Sequence, residues 1–269
     1  MSQGRCAEGI AVVTGAAGGI GSATARQLSA AGWSLLLCDL DAARLEAVAA
    51  PLRAANGNVE ILAGDVADPD FPARLTAALG NRAVGALVHA AGLSPTMGNA
   101  ARILQVNLDA TVRLVDAMRP LMAEGGAAVL FASMVAHMSM SPEADAAFNA
   151  PLPAEGSVAL LKFAPTPEIA YPLSKRGVLN LVKREAAVFG VCKARIVSIS
   201  PGIIDTSMTR SELATSSPAK SMVERTPLAR MGLADELASV AVFLCSAGAS
   251  FVTGCDIQVD GGVLAALGL

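Results

Sequence analysis

The chain has 269 residues, of which 53% are hydrophobic and 16% charged, and its formal net charge is −3. This length and apolar content suit one large α/β domain with a substantial core. Only 3% of the residues are aromatic, and lysine and arginine are spread along the chain. Without a basic stripe or base-stacking side chains, the sequence predicts no nucleic-acid partner.

Cysteine and histidine usage argues against a disulfide framework and against a metal site. The five cysteines form no C-x-x-C pair, and His89 and His137 lie too far apart for a paired-histidine motif. The first eight residues lack the apolar segment of a secretory signal. Polar residues interrupt the two uncharged runs, 125–142 and 237–255, so we expect buried core there, no membrane span and a cytoplasmic protein.

Short apolar β-type runs alternate with helix-length segments along the chain. The strand candidates, in chain order, are 10–13, 33–38, 59–63, 84–89, 127–132 and 195–200. This alternation predicts right-handed βαβ units and a parallel sheet with helices on both faces. The longest helical pattern, 99–124, has one apolar stripe and is expected to stop at Gly125-Gly126.

Two segments interrupt the alternation: 136–167, rich in Pro, Ala and Met, and 203–225, rich in Ser, Thr and Met. No repeat or linker divides the chain, so residues 1–269 are predicted to form a single domain. Segment 203–225 is interpreted as a loop that covers the substrate. A surface loop ordered by subunit contacts is the alternative.

The stretch TGAAGGIG, residues 14–21, stands where the first strand passes into a helix. Such a turn lets the backbone approach a pyrophosphate, which then faces the free N–H groups and positive dipole end of the helix. Gly15, Gly19 and Gly21 would serve the turn, the close approach and the helix–strand packing. An ordinary tight loop is the alternative.

Asp39 follows at the end of the second strand, where a carboxylate accepts hydrogen bonds from the adenosine ribose. It would repel a 2′-phosphate, and Ala16, Ala17 and Gly18 in the turn bring no compensating positive charge. We therefore predict NAD rather than NADP as the cofactor.

The T-G-x-x-x-G-x-G spacing resembles that of the short-chain dehydrogenase/reductase family. The resemblance continues through Asp65-Val66, Ala90-Ala91-Gly92, Asn107, Ser133, Tyr171-Pro172-Leu173-Ser174-Lys175 and Pro201-Gly202-Ile203-Ile204-Asp205-Thr206. It covers residues 8–262 and implies an oxidoreductase with a Rossmann-type doubly wound parallel sheet. The cofactor contacts that it implies are Gly15, Gly19, Ile20, Gly21, Asp39, Asp65, Val66, Ala91, Gly92, Tyr171, Lys175, Pro201, Ile204 and Thr206.

Tyr171 and Lys175 are one helical turn apart and share a helix face, so an ammonium would stabilise a phenolate. A free tyrosine, with a pKa of about 10, is a poor base at neutral pH. Tyr171 would therefore be the general acid/base. The resemblance implies that Ser133 hydrogen-bonds the reacting oxygen, Lys175 also holds the nicotinamide ribose and Asn107 positions a water. Taken singly, Ser133 also suits a turn, Asn107 a satisfied polar group and Lys175 a solvated surface.

The sequence departs from the family pattern in two places. His89 stands where the family commonly has asparagine, and no role is assigned to it. The segment between Ser133 and Tyr171 is about two dozen residues longer than usual, and this insertion must emerge beside the active site. Similar insertions, and the match of Ala91-Gly92-Leu93, give a resemblance to bacterial 3α-hydroxysteroid dehydrogenase/carbonyl reductase-like members.

Methionine and aliphatic residues cluster in the segments that would surround the site, and no convergent Arg or Lys accompanies them. They are Met134, Met138, Met140, Leu93, Pro95, Met97, Met208, Leu213 and Met222. We expect a neutral, apolar, alicyclic secondary alcohol or ketone of terpenoid or steroid type. Ordinary core methionines are the alternative.

The C-terminal segment 252–262 resembles the family's last strand, and the apolar tail 263–269 predicts a homo-oligomer. Two other functions stay open. One is reduction of 3-oxoacyl thioesters, which needs a basic docking patch. The other is a non-catalytic NAD-binding regulator, because a fold does not dictate a function.

Overall fold

Nine strands are present in the computed structural model, which describes residues 8–210 and 217–269. They are β1 (Ile10–Thr14), β2 (Ser34–Asp39), β3 (Val59–Ala63), β4 (Val84–His89), β5 (Met122–Phe131), β6 (Arg195–Pro201), β7 (Ile204–Asp205), β8 (Gly232–Leu233) and β9 (Asp256–Val259). Seven form one parallel sheet in the order β3-β2-β1-β4-β5-β6-β9, and β7 pairs with β8. The predicted doubly wound sheet is confirmed.

Helices connect the strands and cover both faces of the sheet. They are α1 (Gly19–Ala30), α2 (Ala42–Ala54), α3 (Phe71–Leu79), α4 (Ala100–Leu104), α5 (Ala110–Met118), α6 (Pro142–Asn149), α7 (Pro167–Val191), α8 (Ser217–Arg225), α9 (Ala234–Leu244) and α10 (Val263–Leu267). A single π-helical turn, Gln105–Asp109, joins α4 to α5. Short 3₁₀ turns occupy Pro95–Met97, Arg119–Leu121, Met134–His137, Gly156–Phe163 and Ala247–Ala249.

The core lies in two apolar layers, because successive side chains of a strand point to opposite faces of the sheet. Val12 and Leu87 pack on one face with residues of α3, α5 and α7. Val13 and Val88 pack on the other with residues of α1, α2 and α9. The central strands are buried on both sides, which explains why their sequences are apolar throughout.

The predicted single helix over 99–124 is wrong in its extent. The segment consists of α4, the π turn, α5 and a 3₁₀ turn, and from Met122 onward it belongs to β5. Pro120 has no N–H to donate to a continuing helix, and Met122 instead pairs with Val84 of β4. The Gly125-Gly126 pair therefore lies within a strand.

The strand order reverses between β1 and β4, which opens a crevice at the carboxyl ends of the strands. The inserted segment 136–167 packs beside this crevice. Phe148 and Leu160 of the insertion form a cluster with Ile103 of α4 and Leu173 of α7. Within the described ranges, no helix combines the length and apolar character needed to cross a bilayer.

Candidate active site

The glycine-rich turn after β1 packs so closely against its neighbours that side chains would not fit. Gly15 has φ +68°, and a Cβ there would lie 2.5 Å from the Ala91 backbone nitrogen. A Cβ on Gly21 would collide with the Gly15 carbonyl oxygen, and one on Gly19 would lie 2.8 Å from Thr206 Cγ2. No side chain caps the start of α1. This turn of backbone, in which Gly19 is exposed and no described side chain caps the helix, fits a pyrophosphate.

Asp39 lies beside this turn, as predicted. Its carboxylate accepts hydrogen bonds from the Ala17 nitrogen at 2.9 Å and from the Leu40 nitrogen at 2.8 Å. The Arg44 guanidinium donates to the Ala17 carbonyl oxygen at 3.0 Å. Sequence reasoning considered only positive charges within the turn and missed Arg44, which the first turn of α2 brings back to it.

Asp65 and Val66 follow β3 at the same edge of the sheet. The Asp65 carboxylate accepts from the Ala67 nitrogen at 2.9 Å and pairs with Arg102 of α4, while Val66 is buried. Ala91 and Gly92 follow β4 beside the glycine turn, and Ile20 lies in the first turn of α1.

Three other predicted contacts, Pro201, Ile204 and Thr206, lie at and just beyond the end of β6. Pro201 ends β6, and Thr206 reaches Gly19 through its methyl group. The Thr206 hydroxyl accepts from the Thr209 nitrogen at 3.3 Å. Ile204 packs its side chain into the core, so only its backbone is available to a cofactor.

Lys175 is buried in α7 behind the end of β5. Its ammonium donates to the Phe131 carbonyl oxygen at 2.9 Å, so the alternative of a solvated surface lysine is wrong. Burial lowers the pKa of Lys175 to about 8. Tyr171, one turn earlier, and Ser133, just beyond β5, both line a single cavity.

Asn107 occupies the π turn, and its side chain joins two other elements to it. The amide oxygen accepts from the Leu93 nitrogen at 2.8 Å, while the amide nitrogen donates to the Leu93 oxygen and to Ser174 Oγ. A Cβ on Gly92 would lie 3.3 Å from both Asn107 Oδ1 and Lys175 Nζ. The predicted four residues therefore come from three elements around the end of β4 and β5.

His89 is a buried histidine at the end of β4. Its Nδ1 lies 2.6 Å from Thr14 Oγ1, and its Nε2 lies 2.9 Å from Thr111 Oγ1. Burial, reinforced by the charge of Lys175, lowers the pKa of His89 to about 3. The imidazole is neutral at working pH.

The cavity that contains Tyr171 and Ser133 has a volume of about 1130 Å³. Six of the residues predicted to surround the substrate line it: Pro95, Met134, Met138, Met140, Met208 and Met222. Leu93 instead packs into the core, and Met97 is half exposed away from the cavity.

Both unusual segments contribute to the cavity wall. Phe163 and Ala144 come from the insertion, and Ile203 and Thr209 come from segment 203–225. Residues 211–216 of that segment lie outside the described residues.

Glu168 is the one charged residue among the described residues that line the cavity. It stands in the first turn of α7, one turn before Tyr171, and is exposed. Over the described ranges its carboxylate takes part in no ion pair or hydrogen bond. Sequence reasoning missed it, although its helical spacing from Tyr171 was a usable signal. No cluster of potential metal ligands occurs in the described part of the chain.

Comparisons with known proteins agree with this architecture. The sequence model of the family described as short chain dehydrogenase matches residues 9–144, and that described as enoyl-(acyl carrier protein) reductase matches residues 155–264. The chain is 31% identical to a 3-alpha-hydroxysteroid dehydrogenase/carbonyl reductase of Comamonas testosteroni, over 94% of this chain and 96% of that protein.

A second relative is a cis-4-hydroxycyclohexanecarboxylate dehydrogenase of Sinomonas cyclohexanicum, 31% identical over 96% of this chain and 98% of its own. Among solved structures, a short-chain dehydrogenase/reductase described as glucose/ribitol dehydrogenase, from Brucella melitensis, superposes with a TM-score of 0.78 at 31% identity. That superposition covers 97% of this chain and 98% of the other. The chain thus belongs to the short-chain dehydrogenase/reductase family, oxidoreductases that bind a nicotinamide cofactor.

Proposed function

We propose that the protein transfers a hydride reversibly between NAD and a neutral, apolar, alicyclic secondary alcohol or ketone. The observation that carries this proposal is the placement of Tyr171 and Ser133 on one apolar cavity, with the buried ammonium of Lys175 one helical turn from Tyr171. Self-association and the covering role of segment 203–225 belong to the same proposal.

Tyr171 is the general acid/base. In oxidation its hydroxyl oxygen takes the proton of the substrate alcohol, and in reduction it returns that proton. Lys175 stabilises the phenolate electrostatically, an effect that is large in a site shielded from water. When bound, NAD supplies the hydride acceptor.

Ser133 orients the reacting oxygen. Within the described residues its Oγ accepts one long hydrogen bond, 3.4 Å from the Val135 nitrogen, so its own proton is available to a substrate oxygen. Asn107 holds the loop after β4 against α7 through Leu93 and Ser174, which fixes the surroundings of Lys175. Together these contacts preorganise the site.

NAD would be held by the glycine turn and by Asp39. The proposed contacts are Gly15, Gly19, Ile20, Gly21, Asp39, Asp65, Val66, Ala91, Gly92, Tyr171, Lys175, Pro201, Ile204 and Thr206. The Asp39 carboxylate, fixed by the Ala17 and Leu40 nitrogens, favours ribose hydroxyls over a phosphate. Arg44 opposes this preference because its guanidinium lies at the same turn.

Replacing Asp39 by serine is expected to raise kcat/KM for NADP about tenfold or more and to lower it for NAD, because a repulsive charge and a ribose acceptor are both lost. Arg44→Ala, by contrast, should lower kcat/KM for NADP below the wild-type value. Initial rates with NAD and with NADP give kcat/KM for each cofactor in wild type and in both variants. A wild-type protein that prefers NADP would contradict the cofactor assignment.

The cavity supports the substrate class. Its volume of about 1130 Å³ and its methionine-rich wall suit a bulky apolar ring system. Two relatives carry names with alicyclic secondary alcohols, a hydroxysteroid and a hydroxycyclohexanecarboxylate; they support the alicyclic class, and the second of these named compounds carries a charge that the class proposed here lacks.

The described wall offers no cation to an anionic group, and Glu168 would repel one. This disfavours acyl-carrier thioesters as substrates, although one matching sequence model carries an enoyl reductase description. A non-catalytic regulator would have no need of Asn107, Ser133, Tyr171 and Lys175 assembled at the ends of β4 and β5.

The substrate proposal predicts a measurable charge preference at Glu168. Glu168→Gln is expected to raise kcat/KM about three- to tenfold for a cyclic ketone bearing a carboxylate, because it removes a like charge in a partly solvated position. The value for the uncharged parent ketone should change less than about twofold. Glu155→Gln, at an exposed position whose neighbours in the chain do not line the cavity, is the matched control. If the ratio of kcat/KM for the charged ketone to kcat/KM for the uncharged ketone is the same in wild type and in both variants, the role of Glu168 is contradicted.

The whole proposal is tested by following NADH absorbance over a panel of cyclic secondary alcohols, linear sugars and acyl thioesters with both cofactors. We expect turnover of cyclic alcohols with NAD. Turnover confined to sugars or thioesters would contradict the substrate class.

A further inference from the structure

A continuous chain of buried hydrogen bonds runs from β1 to the π turn. It begins at the Thr14 hydroxyl and passes through both ring nitrogens of His89 to the Thr111 hydroxyl. Thr111 then donates to the Asn107 carbonyl oxygen at 2.8 Å. All four residues are buried. Asn107 is thus held by its backbone from one side and by its side chain from the other.

The directions of these bonds follow from counting protons. The Thr111 hydroxyl has one proton, which it gives to the Asn107 carbonyl, so it must accept from His89 Nε2. His89 Nδ1 is then the unprotonated nitrogen and accepts from the Thr14 hydroxyl. One tautomer, neutral and protonated on Nε2, satisfies every group in the chain.

A threonine that bonds to the carbonyl one turn earlier is common within helices. Here the carbonyl belongs to a π turn, where the regular spacing of helical hydrogen bonds is interrupted and functional sites often occur. The contact from His89 gives the Thr111 hydroxyl one fixed orientation. These hydrogen bonds therefore attach the π turn to the central sheet at Asn107. The side chain of the same residue binds Leu93 and Ser174.

We infer that His89 is a positioning residue for the proposed active site: as a neutral imidazole it fixes the Asn107 carbonyl, through the Thr111 hydroxyl, and with it the π turn whose Asn107 side chain lies, like the Lys175 ammonium, against Gly92. This inference rests on the proposed function. It also gives a role to the one polar residue that departs from the usual family pattern at the end of β4.

Neutrality matters because a charged His89 would place a second cation near Lys175. Burial and that neighbouring charge keep the pKa of His89 at about 3, well below its ordinary 6.5. The imidazole therefore keeps the same donor and acceptor pattern across the working pH range. An asparagine at this position carries its donor and its acceptor on one short side chain. It would not bond to both the Thr14 and the Thr111 hydroxyl in the geometry that His89 uses.

Two variants of Thr111 isolate the link. Thr111→Val keeps the shape but removes the hydroxyl, and we expect it to lower kcat about tenfold, with KM and NADH affinity changed less than about twofold. Thr111→Ser restores the hydroxyl and should bring kcat to within about threefold of wild type. Wild-type kcat in Thr111→Val would overturn the inference, as would a loss equally large in both variants.

A spectroscopic measurement tests the same link without turnover. The chain has two histidines, so ¹⁵N-histidine spectra of wild type and His137→Gln assign His89. We expect the Nε2–H tautomer and no titration between about pH 5 and pH 9. In Thr111→Val the Nε2 signal should shift. An Nδ1–H tautomer, or a titration midpoint near the ordinary histidine pKa, would overturn the inference even if turnover is observed.

The two measurements also separate this inference from the proposed function. A wild-type protein that turns over no cyclic alcohol contradicts the function, whereas the tautomer still reports whether the link exists. Turnover together with the wrong tautomer contradicts only the inference.

Discussion

Replacing Tyr171 by phenylalanine is expected to lower kcat about a thousandfold while NADH binding stays within about twofold of wild type. The variant keeps the ring that lines the cavity but loses the hydroxyl that is proposed to exchange a proton with the substrate. Steady-state NADH absorbance measures the loss, and titration of NADH fluorescence measures binding.

The result distinguishes a proton-transfer role from a structural one. Thermal unfolding should be nearly unchanged, because Tyr171 is only half buried. Ser133→Ala serves as a comparison, since it removes one hydrogen bond to the reacting oxygen and leaves the general acid/base in place. Activity of Tyr171→Phe close to wild type would remove the basis of the mechanism.

Replacing Lys175 by methionine is expected to abolish most turnover and, at the same time, to stabilise the cofactor-free protein at pH 7. The folded-state pKa of Lys175, about 8, lies below its ordinary 10.5 because burial disfavours the charge. The buried ammonium therefore lowers stability below pH 8 by a few kcal/mol. Methionine removes that cost but leaves the Phe131 carbonyl unpaired, so we expect a net gain of about 1–2 kcal/mol.

The lowered pKa of Lys175 also determines how the difference in stability between wild type and Lys175→Met changes with pH. Between pH 8 and pH 10.5 the unfolded chain binds more protons than the folded one at this site, so wild-type stability rises with pH through that window. The stability advantage of Lys175→Met over wild type should therefore become smaller as the pH rises through that window. Urea unfolding at pH 7 and at about pH 10 measures it. Lys183→Met, an exposed position on the same helix, should show no such trend. A variant less stable than wild type at pH 7 would contradict the cost assigned to the buried charge.

The sequence was sufficient to predict the fold and the positions of the catalytic candidates. Apolar runs buried on both faces of a parallel sheet leave a clear pattern, and β3 and β4 have the boundaries expected from it. The order of motifs then placed Tyr171 and Ser133 at the same edge of the sheet, where they line one cavity.

Other features depend on contacts that no local pattern encodes. The 99–124 segment has a continuous helical period, but pairing of Met122 with Val84 draws its end into the sheet. Arg44 reaches the glycine turn because the first turn of α2 lies beside it in the folded chain, 27 residues further along the sequence. The partners of His89, Thr14 and Thr111, lie far from it in sequence, so its tautomer follows only from the three-dimensional arrangement.

The central claim is that the Lys175 ammonium acidifies the Tyr171 hydroxyl, and the chain offers a direct measurement because Tyr171 is its only tyrosine. Any phenolate absorbance in the near ultraviolet therefore belongs to Tyr171. The Lys175 ammonium, one helical turn from Tyr171, would stabilise the phenolate and so lower the pH at which Tyr171 loses its proton. We predict that phenolate absorbance rises at a pH about one unit or more lower in wild type than in Lys175→Met. Phenolate absorbance that rises at the same high pH in both proteins would contradict the account.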